Sequence, residues 1–176
     1  PLAGCHGGGP KSSIMTTDDY EYIATEIAGK IQGQLGSEGP FANRTPDSPP
    51  MVVSITKVTN LTSDIMSESA KWYLMERVAS SLPFATLAHE KNVKFVIPAD
   101  RLRAAKQRGN VEADTGSERQ TTHLMTATFT SVTRATGKDR TDLYYCEYQI
   151  VDRSTGEIVW NDKVEFKRTA HGRSWD

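Results

Sequence analysis

Residues 144–168, "YYCEYQIVDRSTGEIVWNDKVEFKR", constrain the fold more than any other stretch of the chain. Tyr144, Cys146, Tyr148 and Ile150 occupy alternate positions. Ile158, Trp160, Val164 and Phe166 alternate in the same way after a turn, with Asp162 interrupting. A period of two places such residues on one face of an extended strand, because successive side chains point to opposite sides. Between the runs, "DRSTGE" supplies Asp152 and Gly156, which suit a four- or five-residue hairpin loop with glycine at positive φ. The spacing therefore predicts strands over 141–152 and 157–168. A further strand over 121–133, joined through "TGKDR", completes an antiparallel meander.

The first two thirds of the chain carry a different period. Tyr20, Ile23, Ala24, Ile27, Ala28, Ile31 and Leu35 recur at i, i+3, i+4 and i+7, the stripe of an amphipathic helix. Thr16 or Thr17 caps it, Asp18 and Asp19 suit the positive end of its dipole, and Gly36 ends it. A proline-rich connector leads to the β-branched strand 51–60. A second helix begins near 63–67 and runs to about 82, with Met66, Ala70, Tyr73, Leu74 and Val78 on one side and Pro83 helping to stop it. The apolar strand 93–97 and a helix over 100–108, closed by Gly109, follow; residues 109–120 are polar and show no pattern.

This order predicts an α/β (α+β) fold: a mixed sheet with helices packed on it, built from a parallel strand–helix–strand crossover and then the three-stranded antiparallel meander. Residues 1–15 read as a flexible arm, 16–170 as a single globular domain and 171–176 as a tail. The 21 basic and 22 acidic side chains leave a net charge of −1, so there is no electrostatic case for nucleic-acid binding. No run of about 18 apolar residues predicts a membrane-spanning helix.

Motifs for chemistry are wanting. His6, His89, His123 and His171 are not at metal-ligand spacing, and no phosphate-binding loop or nucleophile elbow occurs. The expectation is a binding module with no catalytic residues, no metal and no cofactor. Asn43 and Asn60 begin glycosylation sequons, which matter only in a eukaryotic secreted context. Cys146 reads as a small buried hydrophobe. Trp72 and Trp175 are interface candidates because exposed aromatics often anchor contacts, although Trp72 also fits a half-buried place on its helix. Cys5, before Gly7–Gly9, admits three readings: a free thiol, a disulfide partner of Cys146, or a lipid attachment point.

Two stretches carry a family resemblance. "VVSITKVTNLTSDIMSESAKWYLMERV" and the closing hairpin with Thr155-Gly156-Glu157-Ile158-Val159-Trp160 resemble the bacterial LpoB family of penicillin-binding protein activator lipoproteins. "TTDDYEYIATEI" and "VKFVIPADRLRAAKQ" resemble its leading helix and middle strand–helix pair, so the likeness spans roughly residues 16–168. The hairpin also occurs in related curli-secretion-type lipoproteins; Asn60 with Thr62-Ser63 favours LpoB.

The resemblance implies a fold like the N-terminal domain of TolB and a non-enzymatic role, as a monomer that binds a class A penicillin-binding protein and stimulates peptidoglycan synthesis. It also decides between the readings of Cys5. Leu2-Ala3-Gly4-Cys5 becomes the Leu-x-Gly-Cys end of a signal peptide, with Cys5 the lipid anchor to the membrane. His6 after the cysteine then implies sorting to the outer membrane, facing the periplasm. The arm between Cys5 and Thr17 spans at most about 40 Å, a departure from the family's longer tethers. The alternative role is a curli-secretion-like outer-membrane component. The 121–133 strand speaks against a pore, since Met125, Ala127 and Phe129 give way to Ser131 and Thr133.

Overall fold

A computed structural model of the chain describes residues 14–33, 41–109, 120–137 and 139–171. Its elements run α1 (Thr17–Gly33), β1 (Met51–Ile55), β2 (Thr59–Asn60), α2 (Glu68–Ser80), α3 (Phe84–Glu90), β3 (Val93–Val96), α4 (Ala99–Gln107), β4 (His123–Thr136), β5 (Asp139–Asp152) and β6 (Ile158–His171). One mixed sheet takes the order β3-β1-β4-β5-β6, with β2 also paired to β4. β1 lies parallel to both β3 and β4, whereas β4, β5 and β6 form the antiparallel meander. The expected mixed α+β architecture, including parallel pairing of the 51–55 and 93–96 strands, is present.

Among the described residues, the meander supplies five of the twelve largest fully buried side chains, namely Met125, Phe129, Tyr144, Tyr148 and Ile150. Met125, Ala127 and Phe129 of β4 stand opposite Ile150, Tyr148 and Cys146 of β5, and all six are essentially inaccessible to water. The helical stripe of α1 (Ile23, Ala24, Ile27, Ala28 and Ile31) is buried in turn. Lys30 ties α1 to β6 through a 2.6 Å ion pair with Asp162, so the polar interruption in the β6 stripe is answered from the helix. Asp142 continues the buried face of β5 and is itself 1% exposed. Its carboxylate is met by Arg140, at 2.9 Å, and by the Thr133 hydroxyl, as a buried charge requires.

Several boundaries differ from the sequence reading, each for a local reason. The 51–60 strand is broken. Ile55 pairs with Met125 but Thr59 with Thr128, so residues 56–58 hold one more residue than the partner strand. That extra residue shifts the inward parity, and Val58 rather than Lys57 is buried. Pro83 stops α2 but also opens α3, a seven-residue helix whose Leu87 is fully buried. One apolar anchor in two turns is too little for periodicity to register.

α2 itself starts at Glu68, where the Ser67 hydroxyl accepts the Ala70 N–H at 3.1 Å, and ends at Ser80. Met66, Leu74 and Val78 of the expected stripe are buried and Met75 joins them, whereas Ala70 and Tyr73 are only half-buried. The strands of the meander extend to Thr136 and begin again at Asp139, so the "TGKDR" turn is tighter than read. In β6, Ile158 pairs with Val151 and Trp160 with Ile150, leaving Val159 as a bulge. The bulge turns Ile158 outward to 50% exposure instead of joining Trp160 in the core.

The loop turn itself forms as expected. Asp152 Oδ1 accepts from the Ser154 and Thr155 N–H groups, and Gly156 takes φ 76°. A β-carbon in that left-handed region would be strained.

Candidate functional site

At the β3 side of the sheet, α2 and α4 stand apart and leave a groove of about 580 Å³. α2 contributes Trp72, Met75, Glu76 and Ala79, spaced i, i+3, i+4 and i+7, which is one face of a helix. α4 contributes Arg101 and Ala104, and its C-cap contributes Arg108. Ile55 and Phe95 come from the sheet, Phe84 from α3, and Ile97-Pro98 from the link into α4.

The lining is ordered by contacts among its own members. Arg101 lies 4.3 Å from the centre of the Trp72 ring, and its Nη1 donates to Glu76 Oε1 at 2.5 Å. The guanidinium is thus held by a ring face and a carboxylate together. Phe84 and Phe95 pack with centroids 5.1 Å apart at 38°. Phe84 remains 39% exposed and Ile97 52% exposed, so the lip of the groove is apolar and open. Near the start of α2, Glu68 accepts from Lys57 at 2.9 Å and from Lys71 at 2.8 Å, and these hydrogen bonds hold its pKa down at about 2. The groove offers apolar contact, a fixed guanidinium and one carboxylate, the mixture of apolar walls and few polar groups found in binding clefts.

The structure disperses the residues the sequence singled out. Trp72 is half-buried and lines the groove. Cys5, His6 and Trp175 lie outside the described residues. Cys146 is buried and unpaired by any disulfide, and burial pushes its thiol pKa well up. His89 sits on α3 and His171 at the end of β6.

His123 opens β4 and has Nδ1 2.7 Å from the Thr122 hydroxyl and Nε2 3.7 Å from Asp152. Partial burial lowers its pKa, while Asp152 pulls the other way. Among the described residues, no group of three or more His, Cys, Asp or Glu side chains is placed to hold a metal.

The Asn60-Leu61-Thr62-Ser63 segment has a structural explanation. Asn60 Oδ1 accepts from the Thr62 N–H at 3.0 Å and from its hydroxyl at 2.8 Å, and Asn60 Nδ2 donates to the Asp64 carbonyl at 2.7 Å. Asp64 then accepts from the Tyr144 hydroxyl, which fastens the loop to the meander. Burial first, then this carboxylate, raises the Tyr144 pKa. Sequence reasoning missed Phe84, Phe95, Ile97 and Arg101 as site residues. The i, i+3, i+7 placement of Arg101, Ala104 and Arg108 was the one available signal.

No protein family's sequence profile matches the chain, and no curated protein matches it in sequence. Solved structures do. The LpoB C-terminal domain from Escherichia coli is similar over 84% of this chain and 98% of its own, with 16% identity and a TM-score of 0.44. The Salmonella enterica LpoB C-terminal domain shows 15% identity and a TM-score of 0.43 over the same shares. A lipoprotein from Neisseria meningitidis covers 68% of this chain and 84% of its own, at 14% identity and a TM-score of 0.40. These likenesses concern overall shape and carry nothing about activity or partner.

Proposed function

We propose that the chain is a non-enzymatic lipoprotein of the bacterial cell envelope that binds a class A penicillin-binding protein and stimulates its synthesis of peptidoglycan. It is held at the periplasmic face of the outer membrane by acyl chains on Cys5. Residues 1–15 serve as the tether and 16–170 as the binding domain. The observation that carries this reading is the joint presence of Leu2-Ala3-Gly4-Cys5, the Thr155–Trp160 hairpin and the Asn60–Ser63 segment in one sequence.

Anchoring through Cys5 is physically sufficient. One acyl chain binds a membrane marginally, whereas two or more hold a protein stably. No helix among the described residues is long and apolar enough to cross a membrane. Stimulation then proceeds through surface contact, with the domain favouring the active conformation of the synthase by binding it better than the inactive one.

The test is reconstitution. Purified chain is added to a class A penicillin-binding protein supplied with its lipid-linked disaccharide-peptide substrate. Glycan strand formation and crosslinking should rise with added chain and saturate. An unchanged rate together with no binding would refute the partner. Separately, Cys5→Ala expressed from the precursor should move the protein from the membrane to the soluble periplasmic fraction, and persistence at the membrane would refute the anchor.

A further inference from the structure

We infer that the groove between α2 and α4 is a docking site for an acidic, apolar segment of a partner protein. Aliphatic or aromatic side chains of that segment enter between Trp72, Phe95 and Ile97, and its carboxylates meet the basic rim formed by α4. This goes beyond the function proposed above and stands whichever protein supplies the segment.

The apolar half of the inference follows from exposure and preorganisation. A volume of about 580 Å³ falls within the range of roughly 300–1,000 Å³ typical of ligand pockets. Phe84 and Ile97 leave 39% and 52% of their surface in water at its lip, and covering them releases that water favourably. Arg101 is already fixed by Trp72 and Glu76, so little rotamer freedom remains to be lost on binding. A tryptophan and an arginine locked together in an apolar cleft are the residue types on which interface energy concentrates.

The acidic half follows from charge. The whole chain is balanced, with 21 basic and 22 acidic side chains. The groove lining is not, carrying Arg101 and Arg108 against Glu76 alone. Within the groove, Glu76 is engaged by Arg101. Arg108 makes no ion pair among the described residues. A basic segment would bring like charge to this rim, which costs affinity, whereas an acidic one completes it and is steered towards it.

The experiment titrates the isotope-labelled full chain with two short synthetic peptides of equal leucine and phenylalanine content. One carries aspartates between the apolar residues and the other lysines. The aspartate peptide should shift the Trp72 indole and the Phe95, Ile97 and Arg101 amide resonances, and the lysine peptide should not. Ile97→Asp should weaken aspartate-peptide binding by roughly tenfold, and Arg108→Glu by a smaller factor that vanishes at high salt. Both positions are solvent-facing, and an otherwise unchanged amide spectrum shows that each variant is folded. Equal response to the two peptides, equal occupancy by the uncharged detergent octyl glucoside, or no response to either peptide would overturn the inference.

Discussion

The β4–β5–β6 meander and the β3 edge lie on opposite sides of β1, and they differ in how deeply their inward-facing aromatic residues are covered. In the meander, Phe129, Tyr144 and Tyr148 are no more than 1% exposed. At the β3 edge, Trp72, Phe84 and Phe95 stay partly open around the groove. The difference traces to strand length and connection. Three 14-residue strands joined by short turns zip into long antiparallel ladders, and α1 closes over their apolar face. β3 has four residues, pairs in parallel with β1, and depends on helices that arrive from separate connections. Where coverage is assembled from short pieces, a cleft is left between them. The region that stabilises the fold and the region that presents surface are therefore different regions.

The largest test of this contrast removes the same residue type from each side. Phe129→Ala should cost about 3–5 kcal/mol in denaturant unfolding, because the ring is fully buried and leaves a cavity. Phe84→Ala should cost about 1–2 kcal/mol, since part of that ring is already in water and its main loss is contact with Phe95. Equal losses would break the contrast.

A smaller effect is expected at the meander's turn. Gly156→Ala should cost about 1–2 kcal/mol through backbone strain alone, since φ is 76° and an added β-carbon meets nothing within 4 Å. Gly156→Asn should recover part of that loss, because asparagine tolerates the left-handed region better. If alanine were neutral in thermal unfolding, the turn would not be what sets the β5–β6 register.

The smallest effect concerns protonation where the two regions meet, at His123, which pairs with Val53 of β1 and with Asp152 of β5. Partial burial is the main cause that lowers its pKa below 6.5, and the Arg44 charge adds to it, while Asp152 opposes. A depressed value means that the fold favours the neutral ring. That contribution is present above the unfolded pKa and is lost as pH falls through the folded one. A ring titration by NMR should place the midpoint below 6.5, and Asp152→Asn should lower it further by removing the opposing carboxylate. A midpoint that rises in Asp152→Asn would reverse the assignment.

Much of the meander was legible because its signals are local. The alternation Tyr144, Cys146, Tyr148, Ile150 needs only the pleat of a strand, and Asp152 with Gly156 needs only turn geometry. The α1 stripe likewise depends only on a 3.6-residue period. What the residues by themselves determined, then, is which face of each long element turns inward and which strands are joined by hairpins. The tertiary structure decided the rest. It placed the bulges after Ile55 and at Val159, because a bulge is a mismatch between two strands and neither strand's own pattern contains it. It made a helix of Phe84–Glu90, whose single deep anchor, Leu87, gains its burial only from elements elsewhere in the chain. It also made the groove, by bringing Arg101 over Trp72 and Phe84 onto Phe95. Periodicity reports the side of an element that leaves water, but the separation between two helices is set by everything packed beneath them.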